Sequence, residues 1–591
     1  MKKSIVCLLV FGILLSGCGV LEDPKPATTA PSQTTALQQK PEVTPPTVEV
    51  DFAQTDADMF TGRDEEDTYS KGTMIQLDGN SVTCNSAAVK VEGTKITIGK
   101  EGVYILRGTL NDGQILVNAG DSDKVQLVLE GASITGQNTP ALNVEAADKV
   151  FLTLAAGTEN VLSNGGSFGN SGADGAVFSR ADLSFNGTGS LTVESPAGHG
   201  IVCKDDLVVA GGSFRIHAAS HALDANDSFR MKGASLKVDA GKDGIHVEDN
   251  DDSATGFVYI SGGSLIIEAE GDGISAGYWM QISNGSFNIL AGGGYENGVS
   301  HSSGGWGDFM GGGRPGPRAA ATAETADSDT SMKGLKAKGG MLISGGDITI
   351  DAADDGLHSD GAVTVSGGNI KIASGDDGIH GETDLRIAGG EINITNGYEG
   401  LEAQNVHVIG GQIRMVCTDD GINAAGGRDS SGTGGRDEMF NKPGGPGDAA
   451  NGSIVIDGGD MYIQSSGDGM DANGYLEING GKTVICGPNS GDTATLDFET
   501  TGSINGGIFI GTGSSFMAQT FSENTQGVLA VQAGQGQSGV TITVSDKDDK
   551  ELVSFQPELP FSVIIFSTPE LISGQTYHIT IGDKEADLEA Y

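Results

Sequence analysis

Residues 365–394 read VSGGNIKIASGDDGIHGETDLRIAGGEINI, and this stretch decides the fold class. Valine, isoleucine and leucine alternate with polar residues on both sides of each Gly-Gly pair, which is typical of strands with one buried face. An acid–glycine turn separates one Gly-Gly pair from the next. The first glycines of four successive pairs, spaced by 22, 22 and 21 residues, are Gly345, Gly367, Gly389 and Gly410. The stretch therefore belongs to an internal repeat.

The repeat predicts an all-β fold with three short strands per unit. One strand precedes the Gly-Gly pair, one follows it, and a brief one follows the acid–glycine turn. Such units, stacked on one another, form a single-stranded parallel β-helix with about 22 residues per coil. We assign the β-helix to residues 59–520 and a C-terminal β cap to residues 521–591. Two Gly-rich insertions, residues 292–331 and 426–451, are expected to be long loops.

The N-terminus has the pattern of an export signal. Two lysines precede a short apolar run that ends in Leu15-Ser16-Gly17-Cys18, which is similar to the signal of bacterial lipoproteins. Residues 1–18 are thus predicted to be the signal with its lipidated Cys18, and an ordinary signal peptide is the alternative. Residues 19–58, rich in Pro and Thr, are expected to form a disordered tether. Attachment to the membrane would be through lipid only, on the extracellular face at the cell surface.

Acidic residues dominate the composition. The chain has 79 Asp and Glu against 34 Lys and Arg, which gives a formal charge of −45. Because such a surface repels phosphate, nucleic acid is not an expected partner. The cysteines beyond Cys18 show neither paired nor metal-type spacing, so we expect buried free thiols, notably at Cys203 and Cys486.

The acid before each turn glycine is expected to form a column. Equivalent residues in adjacent parallel strands lie about 4.8 Å apart, and two carboxylates at that distance repel by about 3 kcal/mol at an effective dielectric constant near 20. Calcium, which takes six to eight oxygen ligands, would cancel this charge. Solvated Asp-Gly turns are the alternative, and the histidine found in several units is expected on a solvated face rather than on zinc. The predicted calcium ligands are Asp243, Asp272, Asp354, Asp355, Asp376, Asp377, Glu399, Asp419, Asp420 and Asp468.

A family resemblance rests on residues 333–404, which include DAADDGLHSDG and ASGDDGIHGE, and on SGDGMDANGYLEINGG at residues 466–481. These stretches resemble the bacterial family of polysaccharide-lyase-like, carbohydrate-binding β-helix proteins. The likeness is close over residues 200–510. It implies a right-handed β-helix, bound calcium, and binding of acidic plant polysaccharide such as polygalacturonate, with cellulose as a further ligand. It also implies calcium binding by the acids of the matching acid–glycine motifs, among them those at Gly356 and Gly378.

Taken together with this resemblance, the sequence predicts a monomeric binding protein that holds acidic polysaccharide through calcium without cleaving it. One alternative is a calcium-dependent pectate-lyase-like enzyme with Lys333, Lys336 or Lys338 as its base. Another alternative is a structural surface adhesin. Aromatic side chains that could stack on sugar rings are Tyr278, Trp279, Trp306, Tyr398 and Tyr475.

Overall fold

The structure is a computed structural model of an all-β protein. Among the residues it describes, helix is limited to Asp56–Met59, Gly62–Glu65 and the 3-10 turn Tyr295–Asn297. No helix there is both long and apolar enough to cross a membrane. Cys18, most of the tether, most of both insertions and Trp306 lie outside the description, so predictions for them stay predictions. The described residues are 53–69, 71–169, 172–249, 255–299, 331–424, 452–488 and 493–591.

Three ladders of parallel strands make up most of the fold, because each strand pairs with the third strand after it along most of the chain. Ile348 pairs with Ile370, 22 residues later. Where an insertion intervenes, the spacing grows, and Ile289 pairs with Ile350, 61 residues later. The predicted all-β, parallel architecture is confirmed, and the 22-residue register holds over part of the chain.

Ladder A contains the strands that follow the Gly-Gly pairs and their N-terminal equivalents. Alternate residues of these strands point into the core, as in Asn369–Ser374, where Ile370 and Ile372 are buried. From the N-terminus its strands are Thr73–Gly79, Gly102–Leu110, Lys124–Gly136, Glu159–Asn164, Ser190–Ser195, Ser213–Ala218, Ser235–Ala240, Ser264–Ala269, Ser286–Ala291, Asp347–Ala352, Asn369–Ser374, Glu391–Asn396, Gln412–Cys417, Asp460–Ser465, Lys482–Cys486 and Ile508–Gly513.

Ladder B contains the brief strands that follow the turns, and ladder C contains those that precede the Gly-Gly pairs. Two strands, Ile379–Ile387 and Leu401–Val408, run through both ladders. Ladder B otherwise consists of Lys95–Ile98, Gln114–Asn118, Leu142–Ala146, Gly175–Ser179, His199–Cys203, Leu223–Ala225, Ile245–Val247, Ile274–Ala276, Leu335–Ala337, Leu357–Ser359, Ile422–Ala424, Met470–Ala472 and Asp497–Phe498. Ladder C otherwise consists of Lys149–Leu154, Asp182–Gly187, Asp206–Val209, Ser228–Met231, Phe257–Ile260, Trp279–Ile282, Gly340–Ile343, Ala362–Val365, Ser453–Ile456, Tyr475–Ile478, Thr501–Ile504 and Glu523–Asn524.

Glycine keeps the units in register at two positions of the repeat. A Cβ on the turn glycine Gly378 would lie 2.7 Å from the carbonyl oxygen of Gly400, so any side chain there would force adjacent units apart. The second glycine of a Gly-Gly pair has a different reason, since Gly368 has φ near +100°, a backbone conformation that glycine adopts readily. The glycines at these two positions of the repeat therefore allow the turns of successive units to stack closely.

One apolar core runs along the inside of the three ladders, from Ile75 to Ile565. The core is built from the inward-facing residues of the alternating strands. Cys203, Cys417 and Cys486 are buried, and none of the described cysteines forms a disulfide, which confirms the prediction of free thiols.

Both ends of the ladders are covered by other segments. At the start, residues 53–69 lie across the outside of ladder C, where Asp64 forms an ion pair with Lys149 at 2.9 Å and Asp56 accepts a hydrogen bond from Tyr259. Short antiparallel strands, Ser81–Cys84 and Val89–Glu92, pair there with the first strands of ladders A and B.

At the C-terminal end, the strand Phe561–Ser567 pairs antiparallel with Ile508–Gly513 of ladder A and with Val528–Gly536. A separate antiparallel sheet follows. The predicted boundary near residue 520 stays a prediction. The strands of the separate sheet are Ile542–Ser545, Glu551–Phe555, Thr576–Ile581 and Lys584–Glu589.

Candidate calcium and glycan site

Two columns of polar side chains run beside ladder B. Column 1 is the residue before each turn glycine, or before Ala222 in the one unit with alanine there, and its carbonyl accepts a hydrogen bond from the turn residue of the preceding unit, as between Gly356 N–H and Asp377 O at 2.9 Å. Column 2 is the second residue after that glycine. Column 1 consists of His199, His221, Asp243, Asp272, Lys333, Asp355, Asp377, Glu399, Asp420 and Asp468. Column 2 consists of Asp224, His246, Ser275, Lys336, His358, His380, Glu402, Asn423, Asp471 and Asp497.

Each column 1 aspartate uses one oxygen to hold the next unit. The backbone N–H of Asp377 donates to Asp355 Oδ1 at 3.0 Å, and that of Glu399 donates to Asp377 Oδ1 at 3.2 Å. Asp272 Oδ1 accepts from Lys333 N–H in the same way, at 2.8 Å. Part of the acid column is thus structural. The second carboxylate oxygen remains for a partner beside it, and the identity of that partner changes along the column.

In the middle of the columns, the charge is balanced by basic side chains. We call Lys333, Asp354, Asp355 and His358 the paired segment. Lys333 Nζ lies 2.7 Å from Asp355 Oδ2 and 2.9 Å from Asp354 Oδ1, although the lysine side chain is only 4% exposed. His358 Nδ1 lies 2.7 Å from the same Asp355 Oδ2. Burial opposes ionisation of Asp355, but Lys333 and His358 outweigh it and hold the pKa of this carboxyl below its usual range.

The next unit, around Asp377, lies between the paired segment and the more acidic units further along the columns. His380, 1% exposed, lies with Nδ1 3.2 Å from Asp377 Oδ2 and 3.0 Å from Glu402 Oε2. One imidazole therefore faces two carboxylates. Burial, with the charges of Asp376 and Glu402, raises the pKa of Asp377 well above its ordinary value. The protein supplies less positive charge here than in the paired segment.

Further along, the columns carry acids for which the described residues supply no basic partner. We call Glu399, Asp420, Asp468 and Asp471 the acidic segment. Carboxylate oxygens of Asp420, Asp468 and Asp471 all lie within 4.8 Å of one another. Within the described part of the chain, no lysine, arginine or histidine forms an ion pair with any of these three. The acidic segment is thus a concentration of negative charge that the described residues do not balance.

The pKa values of the carboxyl groups in the acidic segment are raised, as expected for buried acids that lie close together. Burial, reinforced by Asp419 and Asp468, raises the pKa of Asp420 to about 8. Burial and neighbouring acids raise the pKa of Asp468 to about 7 and that of Asp471 to about 6. Carboxylates whose pKa is raised in this way are stabilised in their ionised form by an added cation.

Two buried polar atoms beside the acidic segment also fit a cation. Asn423 Nδ2 donates to Glu399 Oε1 at 2.9 Å. The second carboxylate oxygen, Glu399 Oε2, and the amide oxygen, Asn423 Oδ1, are both buried without a hydrogen-bond partner. Unpartnered buried oxygens are costly, and the donor set of carboxylates plus an amide oxygen is one that calcium prefers.

The ten predicted ligands do not form one uniform site. Seven lie in column 1, and Asp354, Asp376 and Asp419 directly precede it. Asp355 already has cationic partners, whereas Asp420 and Asp468 have none among the described residues. Sequence reasoning left Asp471 and Glu402 out of the ligand set, although their place two residues after the turn glycine was visible in the repeat.

The expectation that the histidines lie on a solvated face is wrong for His358 and His380, which are buried. Both bind a carboxylate of column 1 three residues earlier, Asp355 and Asp377 respectively. The recurring Asp-x-x-His spacing was the signal in the sequence. This spacing indicates a contact between Asp and His only once the turn is known to bring the two side chains together.

None of the three lysines proposed as a lyase base is free in the structure. Lys333 is buried between Asp354 and Asp355, and although burial lowers the pKa of its ammonium, the two carboxylates raise it overall. Lys336 Nζ lies 3.6 Å from Asp272 Oδ2, and Lys338 forms an ion pair with Glu248.

The predicted sugar-stacking aromatics differ in exposure. Tyr475, the first residue of a ladder C strand, is 44% exposed, Tyr278, directly before another, is 38% exposed, and Tyr398 is half-buried. The prediction is wrong for Trp279, which is 7% exposed because its ring stacks on Phe257 at 4.4 Å and packs in an apolar cluster under the N-terminal segment. Tyr475 lies four residues after Asp471 of the acidic segment.

Comparison with known proteins shows which family this chain resembles. The sequence pattern of the carbohydrate-binding domain-containing protein family matches residues 92–378, 360–439 and 377–551. A carbohydrate-binding domain-containing protein of Acetivibrio thermocellus is 32% identical over 150 residues, which are 24% of this chain and 52% of that protein. The chain therefore spans about half the length of this relative.

A solved structure is also similar, namely the gadolinium derivative of the polysaccharide lyase-like protein from C. thermocellum. The two chains share 32% sequence identity, and the match covers 38% of this chain and 92% of that one, with a TM-score of 0.36.

Proposed function

Because this chain belongs to the family of carbohydrate-binding domain-containing proteins, we propose that it binds an acidic polysaccharide through calcium held at the acidic segment. Polygalacturonate or pectin is the proposed ligand, with cellulose as a second candidate, and the chain does not cleave it. The observation that carries this proposal is the approach of Asp420, Asp468 and Asp471 to within 4.8 Å without a basic partner among the described residues.

Calcium links the two anions in this proposal. A protein with a formal charge of −45 repels a polyuronate. Three carboxylates and an amide oxygen leave several of the six to eight calcium positions open, and uronate oxygens suit those positions. Weak contacts at successive units of a repeating polymer would add as avidity. The exposed ring of Tyr475, four residues after Asp471, is proposed to stack on a sugar next to the calcium.

The architecture suits an extended ligand. We infer that the three ladders wind as a right-handed, single-stranded parallel β-helix with about 22 residues per coil, which the register between Ile348 and Ile370 supports. We further propose that the protein is a monomer, anchored by lipid on Cys18 and held off the membrane by residues 19–58, so that the glycan is retained at the cell surface.

Binding without cleavage is favoured over lyase chemistry by the state of the lysines. A general base must be unprotonated near neutral pH, whereas the carboxylates around Lys333 favour its charged form. Lys336 and Lys338 each have a carboxylate partner. A structural adhesin would share the fold but would not need cation-dependent glycan binding.

Affinity electrophoresis in gels that contain polygalacturonate tests the proposal. The wild-type chain should be retarded in calcium and should migrate freely in excess chelator. Asp420→Asn combined with Asp468→Asn should lose the retardation, whereas the matched pair Glu391→Gln and Asp460→Asn, exposed acids of ladder A, should keep it. Retardation that persists in chelator would overturn calcium bridging, and accumulation of unsaturated oligouronides would replace binding with lyase activity.

A further inference from the structure

The N-terminal part of the two columns holds histidines in place of the acids and lysine found later. His199 and His221 occupy column 1, and His246 occupies column 2. Their imidazole rings stack, with centroids 5.1 Å apart between His199 and His221 and 4.4 Å apart between His221 and His246. Among the described residues, only this part of the columns places three imidazoles in consecutive contact. This arrangement differs chemically from the all-oxygen acidic segment.

Asp243 joins the histidines through one carboxylate oxygen. Its Oδ1 accepts the backbone N–H of Asp272 at 2.9 Å, while its Oδ2 lies 3.3 Å from His221 Nδ1. His221 Nδ1 also lies 3.2 Å from the backbone nitrogen of Asp243, whose N–H points to it. The imidazole nitrogen and the carboxylate oxygen thus lie at the separation that metal ligands adopt around a shared ion.

The acids around this cluster are already paired with lysine, with the exception of Asp243, whose partner is His221. Asp224 lies 3.1 Å from Lys204 Nζ and 3.0 Å from His246 Nδ1, and Glu248 forms an ion pair with Lys338. No ammonium or guanidinium group forms an ion pair with Asp243 within the described ranges. The cluster therefore has a carboxylate available for a cation and no lysine in its place, in contrast to the paired segment.

We propose that His221, Asp243 and His246 form a binding site for a divalent transition-metal ion of the zinc type. Their ligand atoms lie within 4.8 Å of one another, and all three side chains are half-buried, which leaves a path for the ion. Two imidazoles and one carboxylate are a common zinc set, whereas calcium prefers oxygen ligands. The site is therefore distinct in metal preference from the acidic segment and does not rest on the glycan proposal.

His199 gives an independent indication of a ligand at this place. Its Nδ1 is buried without a hydrogen-bond partner, and its ring stacks on His221. A buried imidazole nitrogen of this kind costs free energy unless something binds it. It supplies a further nitrogen donor in the unit next to that of His221, where zinc would need a fourth ligand beside the three proposed ones.

Cobalt titration of the full, untagged chain tests the site, because Co²⁺ at a mixed nitrogen and oxygen site absorbs visible light and Zn²⁺ bleaches it. Calcium is kept in excess throughout the titration, so that it fills the sites that are made of oxygen ligands only. The wild-type chain should bind one equivalent that zinc displaces and calcium does not. His221→Gln and His246→Gln should each weaken this binding at least about tenfold. The control His217→Gln, an exposed histidine of ladder A, should leave it unchanged.

A further variant, Asp243→Asn, distinguishes loss of metal binding from loss of folding. Asp243→Asn keeps the shape of the side chain and its acceptor for Asp272 N–H, so it removes charge without removing the structural bond. Weakened cobalt binding in this variant, with an unchanged melting curve in chelator, supports the site. Absence of saturable, zinc-displaceable cobalt binding in the wild type, or unchanged affinity in Asp243→Asn and His246→Gln, overturns it.

Discussion

In the paired segment, Asp355 Oδ2 lies 2.7 Å from both Lys333 Nζ and His358 Nδ1, whereas in the acidic segment Asp420 and Asp468 form no ion pair with a basic side chain of the described chain. The backbone is the same in both, since each turn glycine donates to the carbonyl of the next column 1 residue. The difference lies in the neighbouring column positions, where Lys333 and His358 stand in one segment and Asp471 in the other.

This comparison separates two roles of the repeated aspartate. One oxygen holds the next unit by accepting its backbone N–H, as between Asp355 and Asp377. The other oxygen pairs with a cationic side chain where the neighbouring column positions supply one. Where the chain provides an ammonium, the pKa of the carboxyl falls; where it provides only acids, the pKa rises, as for Asp420. An acid–glycine repeat is therefore not by itself evidence for calcium at every unit.

The largest expected effect comes from converting the paired segment to the acidic type. Lys333→Met leaves Asp354 and Asp355 without their ammonium, and the loss of one partner of a buried pair costs about 3–5 kcal/mol. Urea denaturation in chelator should show this loss of stability. Calcium should restore part of it, because the freed carboxylates then become ligands. The exposed Lys371→Met is the control, and equal stability of the two variants would show that the pairing contributes nothing.

The pH dependence of stability should distinguish the segments without mutation. In the absence of calcium, the pKa values of Asp420 and Asp468 are raised to about 8 and about 7, whereas an unfolded Asp titrates near 3.9. The folded state then binds protons more tightly than the unfolded state. Their contribution to stability is therefore present at low pH and lost as pH rises from about 4 through about 8.

The measurement is the urea midpoint in chelator and in excess calcium across that range. We expect a midpoint that falls with pH in chelator and a much smaller slope in calcium. Asp420→Asn combined with Asp468→Asn should reduce the slope in chelator. The depressed pKa of Asp355 acts in the opposite sense, since its contribution is lost only in acid. Equal slopes with and without calcium would contradict a cation site in the acidic segment.

The smallest expected effect concerns the exposed tyrosines. Tyr475→Ala should weaken polygalacturonate retardation several-fold, because a sugar bound at the acidic segment would lose about 1 kcal/mol of stacking. Tyr278→Ala, directly before the ladder C strand Trp279–Ile282 and away from the acidic segment, should have less effect. Neither substitution should alter calcium affinity. A larger loss from Tyr278→Ala would place the glycan elsewhere on the coil.

Much of the fold could be predicted because the repeat encodes it at every unit. The Gly-Gly pairs and the alternation of residues such as Ile370 and Ile372 determine where strands begin and which face is buried. The N-terminal segment could not be predicted, because its docking depends on single contacts such as Asp64 with Lys149, which lie 85 residues apart in the sequence and have no periodic signal.

The site was predictable in position but not in charge balance. The column of acids follows from the period alone. In the sequence Lys333 was considered only as a possible lyase base, whereas in the structure it is the partner that neutralises Asp354 and Asp355. Which oxygen faces which neighbour depends on side-chain packing between turns, and periodicity carries no information about it. For the same reason the burial of Trp279 was missed.

Calorimetric titration of the chelator-treated chain with calcium tests most directly whether the neighbours of the column decide where the cation binds. The account predicts that Asp420→Asn combined with Asp468→Asn abolishes a calcium-binding equivalent present in the wild type. Asp354→Asn combined with Asp376→Asn, on either side of Asp355 and its ion pair with Lys333, should retain that equivalent with its affinity unchanged. Loss of calcium binding in the second variant and its persistence in the first would contradict the account.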